Sequence, residues 1–345
     1  MKKQNKITDF NPNSTSDKNS NLFGLPFNLE ESDVVIFSVP WEVTCSYRGG
    51  TSQADTKILE ASYQVDLIDP LIEDAWEKGI YLIQNPDIKE TSDKLRPISK
   101  RIISDLESGV SPNSDDLELI NSNCHKLNLL VKEKTEELVK GGKTVGLLGG
   151  DHSTSLGYIL ALSEIYDSFS ILQIDSHCDL RKDFEGFKYS HASVMRNAIE
   201  IPEVKKIVQV GIRDFCEEEL EIIEENPKIQ TFFDRDIKRM QYIGKTWDSV
   251  CDEIISKLGK RVYLSFDIDG LDPKLCPGTG TPVPGGFEMD EIIYLIEKCI
   301  VSGIEFIGFD LNEISGEDEF NYIVGARLLW RISNLVNVSK YEKVA

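Results

Sequence analysis

After Gly142 the chain repeats one pattern: a short apolar run, then glycine or charged residues, then a helical stretch. The runs lie at 144–148, 170–174, 206–210, 261–266 and 305–309, and helical stretches at 154–166, 217–225, 247–258 and 289–302 separate them. Runs this short and apolar read as strands buried on both faces. Strands alternating with helices make a parallel α/β sheet. An earlier run at 33–39, stopped by Pro40, is a sixth strand, followed by a loop at 45–51 and a helix at 54–62. Between about 70 and 140 the pattern is helical. Ile98, Ile102, Ile103 and Leu106 recur at helical spacing, then Leu117, Ile120, Leu127, Leu130, Val131 and Leu138. The first of these helices is expected over 97–110, and Gly141-Gly142 ends the second. This block is expected as a helical elaboration on one side of the sheet. Residues 1–22, rich in Lys, Asn, Ser and Asp, read as a flexible arm, and 23–345 as a single catalytic domain.

Four of the five later runs end in residues suited to metal or substrate: Gly149-Gly150-Asp151-His152-Ser153, Asp175-Ser176-His177-Cys178-Asp179, Asp267-Ile268-Asp269-Gly270 and Asp310-Leu311-Asn312-Glu313. Ligands of an open parallel sheet bind beyond the carboxyl ends of its strands, so four segments deliver polar groups to one edge. In Asp175-x-His177-x-Asp179 and Asp267-x-Asp269 the spacing is two. If the chain stays extended past each strand, those side chains share a face. Cys178 then points the other way, as a packing residue. A lone Asp-x-Asp is usually a surface or capping pair; the conjunction of all these segments points to a metal site. His125, in a helical stretch, reads as structural or surface.

The candidate metal ligands are His152, Asp175, His177, Asp179, Asp267 and Asp269. This mostly oxygen set without thiolate favours Mn²⁺, with Ni²⁺, Co²⁺ or Fe²⁺ compatible on geometry. Its four aspartates carry four negative charges, so one divalent ion would leave a costly partly buried excess of two, whereas two ions neutralise it. Two metals therefore fit better than one.

The formal net charge of −21 and the lack of basic patches argue against a nucleic-acid partner and allow a small cationic substrate. No apolar run approaches the roughly 20 residues a membrane helix needs, so neither a secretion signal nor a membrane anchor is expected. Seven scattered cysteines without a Cys-x-x-Cys pair suggest free thiols in a reducing compartment, and hence a cytoplasmic protein.

The segments 149–153, 175–179 and 265–273 resemble the three metal-binding signatures of the ureohydrolase (arginase, agmatinase and formiminoglutamase) family. Pro277-Gly-Thr-Gly-Thr-Pro282, Gly285-Gly286, Gly211-Ile-Arg-Asp214 and the segment 39–51 extend the likeness over most of 33–330. The resemblance implies a three-layer α/β/α sandwich with a mainly parallel sheet, assembled as trimers or hexamers. It implies two Mn²⁺ per chain, one held by His152, Asp175, Asp179 and Asp267 and the other by Asp175, His177, Asp267 and Asp269. Asp175 and Asp267 would bridge them. His191 matches the family's proton-shuttle histidine, and Glu313 the glutamate that grips the substrate guanidinium. Three positions depart from the pattern: Ser176 stands for the usual alanine, Ala54-Asp55 for a Gly-Pro, and Ala192 for the glycine of arginases.

The chemistry expected from such a site is hydrolysis of a guanidino group to urea and an amine. Two closely spaced divalent ions acidify a shared water, Glu313 holds the guanidinium by charge-assisted hydrogen bonds, and Asp269 or the shared hydroxide passes a proton to the leaving amine while His191 exchanges protons with solvent. The loop at 180–191 lacks the asparagine with which arginases hold the amino-acid end and is more like agmatinase loops. Agmatine is therefore the first expectation. Guanidinobutyrate, guanidinopropionate, free guanidine, arginine and formiminoglutamate are alternatives. Two other classes compete. A single-zinc deacetylase would need a paired-histidine motif that is not found, and a catalytically silent binding protein would ordinarily have lost ligands that are intact here.

Overall fold

The apolar runs become the strands of one sheet in the computed structural model, which describes residues 3–340. In chain order the elements are α1 (Lys3–Asp9), β1 (Val34–Val39), α2 (Ala54–Ser62), β2 (Ile80–Ile83), α3 (Pro86–Glu107), α4 (Ser114–Lys140), β3 (Thr144–Gly149), α5 (Ser155–Ile165), β4 (Phe169–Ile174), α6 (Val194–Ala198), β5 (Val204–Ile212), α7 (Glu217–Glu225), β6 (Ile229–Phe233), α8 (Asp234–Tyr242), α9 (Trp247–Ile255), β7 (Arg261–Asp267), α10 (Met289–Val301), β8 (Glu305–Asn312) and α11 (Glu319–Ser339). The eight strands run in the order β2-β1-β3-β8-β7-β4-β5-β6, and every pairing is parallel.

Alternation along each strand builds two cores. Leu172, Val208, Leu264 and Phe309 face a layer made of α2, α9, α10 and α11. Their chain neighbours Ile171, Ile207 and Tyr263 face a layer made of α3, α4, α5 and α6. The result is the expected α/β/α sandwich, with the helical block of α3 and α4 lying wholly in one layer.

Several elements differ from expectation. β2 and β6 are additional strands, at the two sheet edges. β2 is four residues long and alternates buried with half-buried, and β6 is mostly half-buried, so neither carries the apolar signature of a central strand. The helix expected to open at Pro97 begins at the earlier Pro86 and keeps Pro97 in its interior. The stretch expected as a flexible arm includes the short helix α1. From it Ile7 packs against the core, with Phe10 just beyond, the Phe10 ring lies 5.1 Å from that of Trp76, and Lys3 pairs with Asp33 at 3.1 Å. Among the described residues no helix is long and apolar enough to cross a membrane.

Candidate metal centre

β3, β8, β7 and β4 are consecutive neighbours at the middle of the sheet, and their carboxyl ends deliver the four segments singled out above. Each segment leaves its strand through a tight turn. At Gly150 an added Cβ would sit 1.8 Å from the Trp41 carbonyl oxygen, so only glycine lets the 41–45 loop pass so closely. Asp151, fully buried, ties that loop down. It accepts from the Thr44 backbone N–H at 3.1 Å and hydroxyl at 2.9 Å, and its other oxygen accepts from the Ser153 N–H at 3.2 Å. His152 is thereby set inside a short 3-10 turn facing the sheet's central edge.

The candidate ligands converge there. His152 Nδ1 lies 2.9 Å from Asp179 Oδ2, 3.2 Å from Asp175 Oδ2 and 3.5 Å from Asp267 Oδ2. His177 Nδ1 lies 3.0 Å from Asp269 Oδ2 and 3.8 Å from Asp175 Oδ1. Two sets of donors close enough to grip one ion each emerge, His152 with Asp175 and Asp267, and Asp175 with His177 and Asp269. Asp175 belongs to both, using one oxygen toward each histidine.

The route to this convergence differs from simple extension. Asp179 has a left-handed backbone, φ 55°, which swings its carboxylate back toward His152. Asp269 sits in a 3-10 turn, its N–H donating to Asp267 Oδ1 at 2.8 Å. The same motif recurs at Asp175, which accepts from the His177 N–H at 2.7 Å. Aspartate bonding its own backbone two residues on makes a compact turn, so a spacing of two gathers these side chains by turning the chain, where extension was expected.

A pair of divalent ions fits this donor set. His152 Nδ1 is buried and makes no hydrogen bond of acceptable geometry, although three carboxylates surround it. Its other nitrogen, Nε2, meets Ser265 Oγ at 2.9 Å, and that hydroxyl bonds Asp310 Oδ1 at 3.2 Å. A histidine whose far nitrogen is fixed by a hydroxyl and a carboxylate, leaving the near one free, is oriented as metal ligands are. The charges agree. Burial opposes a charged imidazole, yet Asp175 and Asp179 hold His152 well above the usual histidine range. Burial also opposes protonation of His177, but Asp269 and then Asp175 push it up to about 10. Asp175 is pushed up to about 7 by burial, with Asp179 and Asp269 adding to it. The cluster draws cationic charge onto whatever can carry it.

Above this floor lies a cleft of about 220 Å³, room for a small metabolite, with Glu313, His191 and Phe184 in its lining. Glu313 is buried and also left-handed, φ 66°, a strain on the order of 1–3 kcal/mol of the kind found where function dictates the backbone. Its Oε1 accepts from the His152 N–H at 2.9 Å. Burial, then Asp151, pushes its carboxyl well above the ordinary glutamate range, so a cationic partner would be strongly favoured. The His191 N–H donates to Thr44 Oγ1 at 3.1 Å, and its ring stands edge-on to Phe184 at 6.0 Å. Burial lowers its pKa.

The remaining candidates sort cleanly. Cys178 is fully buried in the core. His125 is exposed and stacks on Tyr189 at 5.8 Å. Asp310 and Asn312 face inward, where Asp310 accepts from the Phe266 N–H at 3.0 Å, so of that segment Glu313 alone reaches the cleft. Ser265 was missed as an orienting residue, although a serine inside an apolar strand was its signal. Arg213 ties the far loop to the floor, donating to the carbonyls of Asp269 at 2.6 Å and Val283 at 3.0 Å.

The sequence profile of the Arginase family matches residues 32–333. The N(1)-aminopropylagmatine ureohydrolase of Thermus thermophilus is 28% identical over 298 residues, 85% of this chain and 86% of that protein. The agmatinase of Halalkalibacterium halodurans is 29% identical over 289 residues, 84% of this chain and 86% of that one. Among solved structures, the agmatine ureohydrolase of Thermoplasma volcanium matches in fold with a TM-score of 0.70 at 24% identity, covering 98% of this chain and 99% of that chain.

Proposed function

The chain belongs to the arginase family, and from that premise we propose that it hydrolyses the guanidino group of a small cationic substrate to urea and an amine, with agmatine the leading candidate. The observation that carries this is the pair of candidate ligand sets sharing Asp175, whose other members His152, His177, Asp267 and Asp269 line the same cleft as Glu313. The names of the relatives support agmatine and put N(1)-aminopropylagmatine beside it.

His152, Asp175, Asp179 and Asp267 would hold one Mn²⁺, and Asp175, His177, Asp267 and Asp269 the other, with Ni²⁺ an alternative. When bound, the ions supply a water made nucleophilic at neutral pH. Glu313 fixes the planar guanidinium by charge-assisted hydrogen bonds, so that its carbon faces the floor. Asp269 moves a proton toward the leaving amine. His191, kept neutral by its burial, exchanges protons between that point and solvent. Asp151 and Thr44 hold His191 and the 41–45 loop against the floor and so keep the cleft narrow. The catalytic domain expected over 23–345, of which 341–345 lie outside the described residues, is read as one unit assembled as trimers or hexamers. The seven free cysteines support a cytoplasmic setting.

The test is urea release from Mn²⁺-loaded protein, repeated with Ni²⁺, over agmatine, N(1)-aminopropylagmatine, arginine, guanidinobutyrate, guanidinopropionate and free guanidine, with formiminoglutamate scored by formamide. Strong turnover of agmatine is expected. Preference for another member of the panel would move the substrate, and silence on all of them in protein holding two ions per chain would remove the reaction.

A further inference from the structure

A row of polar side chains crosses the sheet at one level. Thr231 of β6 is paired in register with Gln209 of β5, Gln209 with Gln173 of β4, Gln173 with Ser265 of β7, and Ser265 with Asp310 of β8. Gln173, Gln209, Ser265 and Asp310 are fully buried, each between two apolar neighbours in its strand. Leaving such groups unpaired would cost stability, so their hydrogen bonds have to be accounted for one by one.

They run in one direction. The Thr231 hydroxyl donates to Gln209 Oε1 at 2.7 Å. Gln209 Nε2 donates to Gln173 Oε1 and to the Cys178 carbonyl, each at 2.8 Å. Gln173 Nε2 donates to Asp175 Oδ2 at 2.9 Å and to the His177 carbonyl at 3.2 Å. Each amide therefore turns its oxygen toward the sheet edge and its nitrogen toward the centre. The chain ends on the carboxylate common to both liganding sets. An amide alone could rotate half a turn and exchange its oxygen and nitrogen. Here Asp175 and the His177 and Cys178 carbonyls, which only accept, fix the nitrogen ends of Gln173 and Gln209, and the Thr231 hydroxyl donates to the Gln209 oxygen left facing the edge. A reversed Gln173 would set its oxygen against that carboxylate.

We propose that Thr231, Gln209 and Gln173 are positioning residues that lock the plane of the Asp175 carboxylate, so that an edge strand with no side chain in the cleft lining sets the affinity of both metal positions. The same row also clamps the 175–178 turn through the two carbonyls. Outer hydrogen-bond partners of metal ligands typically contribute about 10–100-fold in affinity, and the effect falls with each step away from the ligand. This inference rests on the two-metal reading but not on the identity of the substrate.

The experiment measures Mn²⁺ affinity by chelator competition, and the melting temperature of chelator-stripped protein, for four variants. Gln209→Met removes the relay with little change in volume, and about tenfold weaker binding is expected. Gln209→Glu keeps the shape, and at a pH where the buried carboxyl is ionised it can only accept, which forces Gln173 to reverse; there weaker binding than in Gln209→Met is expected. Thr231→Val should lose a few-fold, and Thr231→Ser, which keeps the hydroxyl, should bind as wild type. A purely structural role would lower the melting temperature of stripped protein and leave the order of the affinities unrelated to polarity. Wild-type affinity in Thr231→Val and Gln209→Met, or Gln209→Glu no worse than Gln209→Met, would overturn the proposal. A wild-type chain that binds no divalent ion would overturn it together with the metal centre. A chain that binds two ions but releases no urea would remove the proposed reaction and leave the row in place.

Discussion

The floor and the wall of the cleft are built on opposite principles. The floor residues Asp175, His177, Asp267 and Asp269 sit at the end of, or within three residues beyond, strands that are paired on both sides, and aspartate turns hold them in place. The wall, residues 180–191, has no strand partner beyond a bridge between Phe184 and Phe187. Its tight turn at Glu185 and Gly186 has φ of 55° and 78°. A side chain of the helical block fastens it: Asn121 of α4 donates to the Gly186 carbonyl at 3.0 Å and accepts from the Lys188 N–H at 2.9 Å, standing in for a neighbouring strand. The floor is held by the sheet, while this part of the cleft wall hangs from a helix side chain and can change without disturbing the floor.

The contrast predicts that floor variants lose metal and wall variants keep it. Asp267→Ala should drop metal content, read by elemental analysis, and activity on the order of a thousandfold or more; both ions retained would remove Asp267 from the ligands. His191→Ala, a wall variant, should keep full metal and lose about a hundredfold in turnover; loss of metal there would erase the distinction. Ser265→Ala, which frees His152 Nε2 under the floor, should weaken metal binding about tenfold while the loaded enzyme turns over almost normally. An unchanged affinity would mean that Ser265 does not orient the ring.

The smallest expected effect belongs to Glu185. Burial pushes its carboxyl up to about 7, with Glu107 adding to the shift and Arg96 opposing it. An acid whose folded pKa lies above its unfolded value, roughly 4.3, binds more protons when folded. Its contribution is full below that unfolded value and is lost as pH rises through about 7. Hydrogen exchange of the wall amides, corrected for the intrinsic pH effect, should therefore speed up between pH 6 and pH 8 in wild type and stay level in Glu185→Gln. Equal pH dependence in both would show that the wall does not sense this carboxyl.

Sequence alone made the floor legible because its signals are local. Apolar runs mark central strands, and the residues just after them are rare types at short spacing. The edges were illegible for a physical reason: β2 and β6 are half-buried and need no apolar pattern. The geometry of Asp179 and Asp269 was hidden as well, since the spacing of two is the same in an extended chain and in an aspartate turn. Asn121 carried no signal, because a polar residue on a helix reads as surface until the loop it holds is known. Gln173 and Gln209 were visible as amides inside apolar runs, but pairing them requires the strand order, which no local pattern contains.

That strand order also sets when the protein can become itself. β8, the last strand among the described residues, is inserted between β3 and β7, so a growing polypeptide holds two open, apolar strand edges at its centre until residues 305–312 have been synthesised. Exposed edges of that kind invite pairing with other chains, and contacts so distant in sequence form slowly. The candidate set of His152, Asp175 and Asp267 draws on segments from both sides of that gap, so it is complete only in a molecule that has closed its sheet.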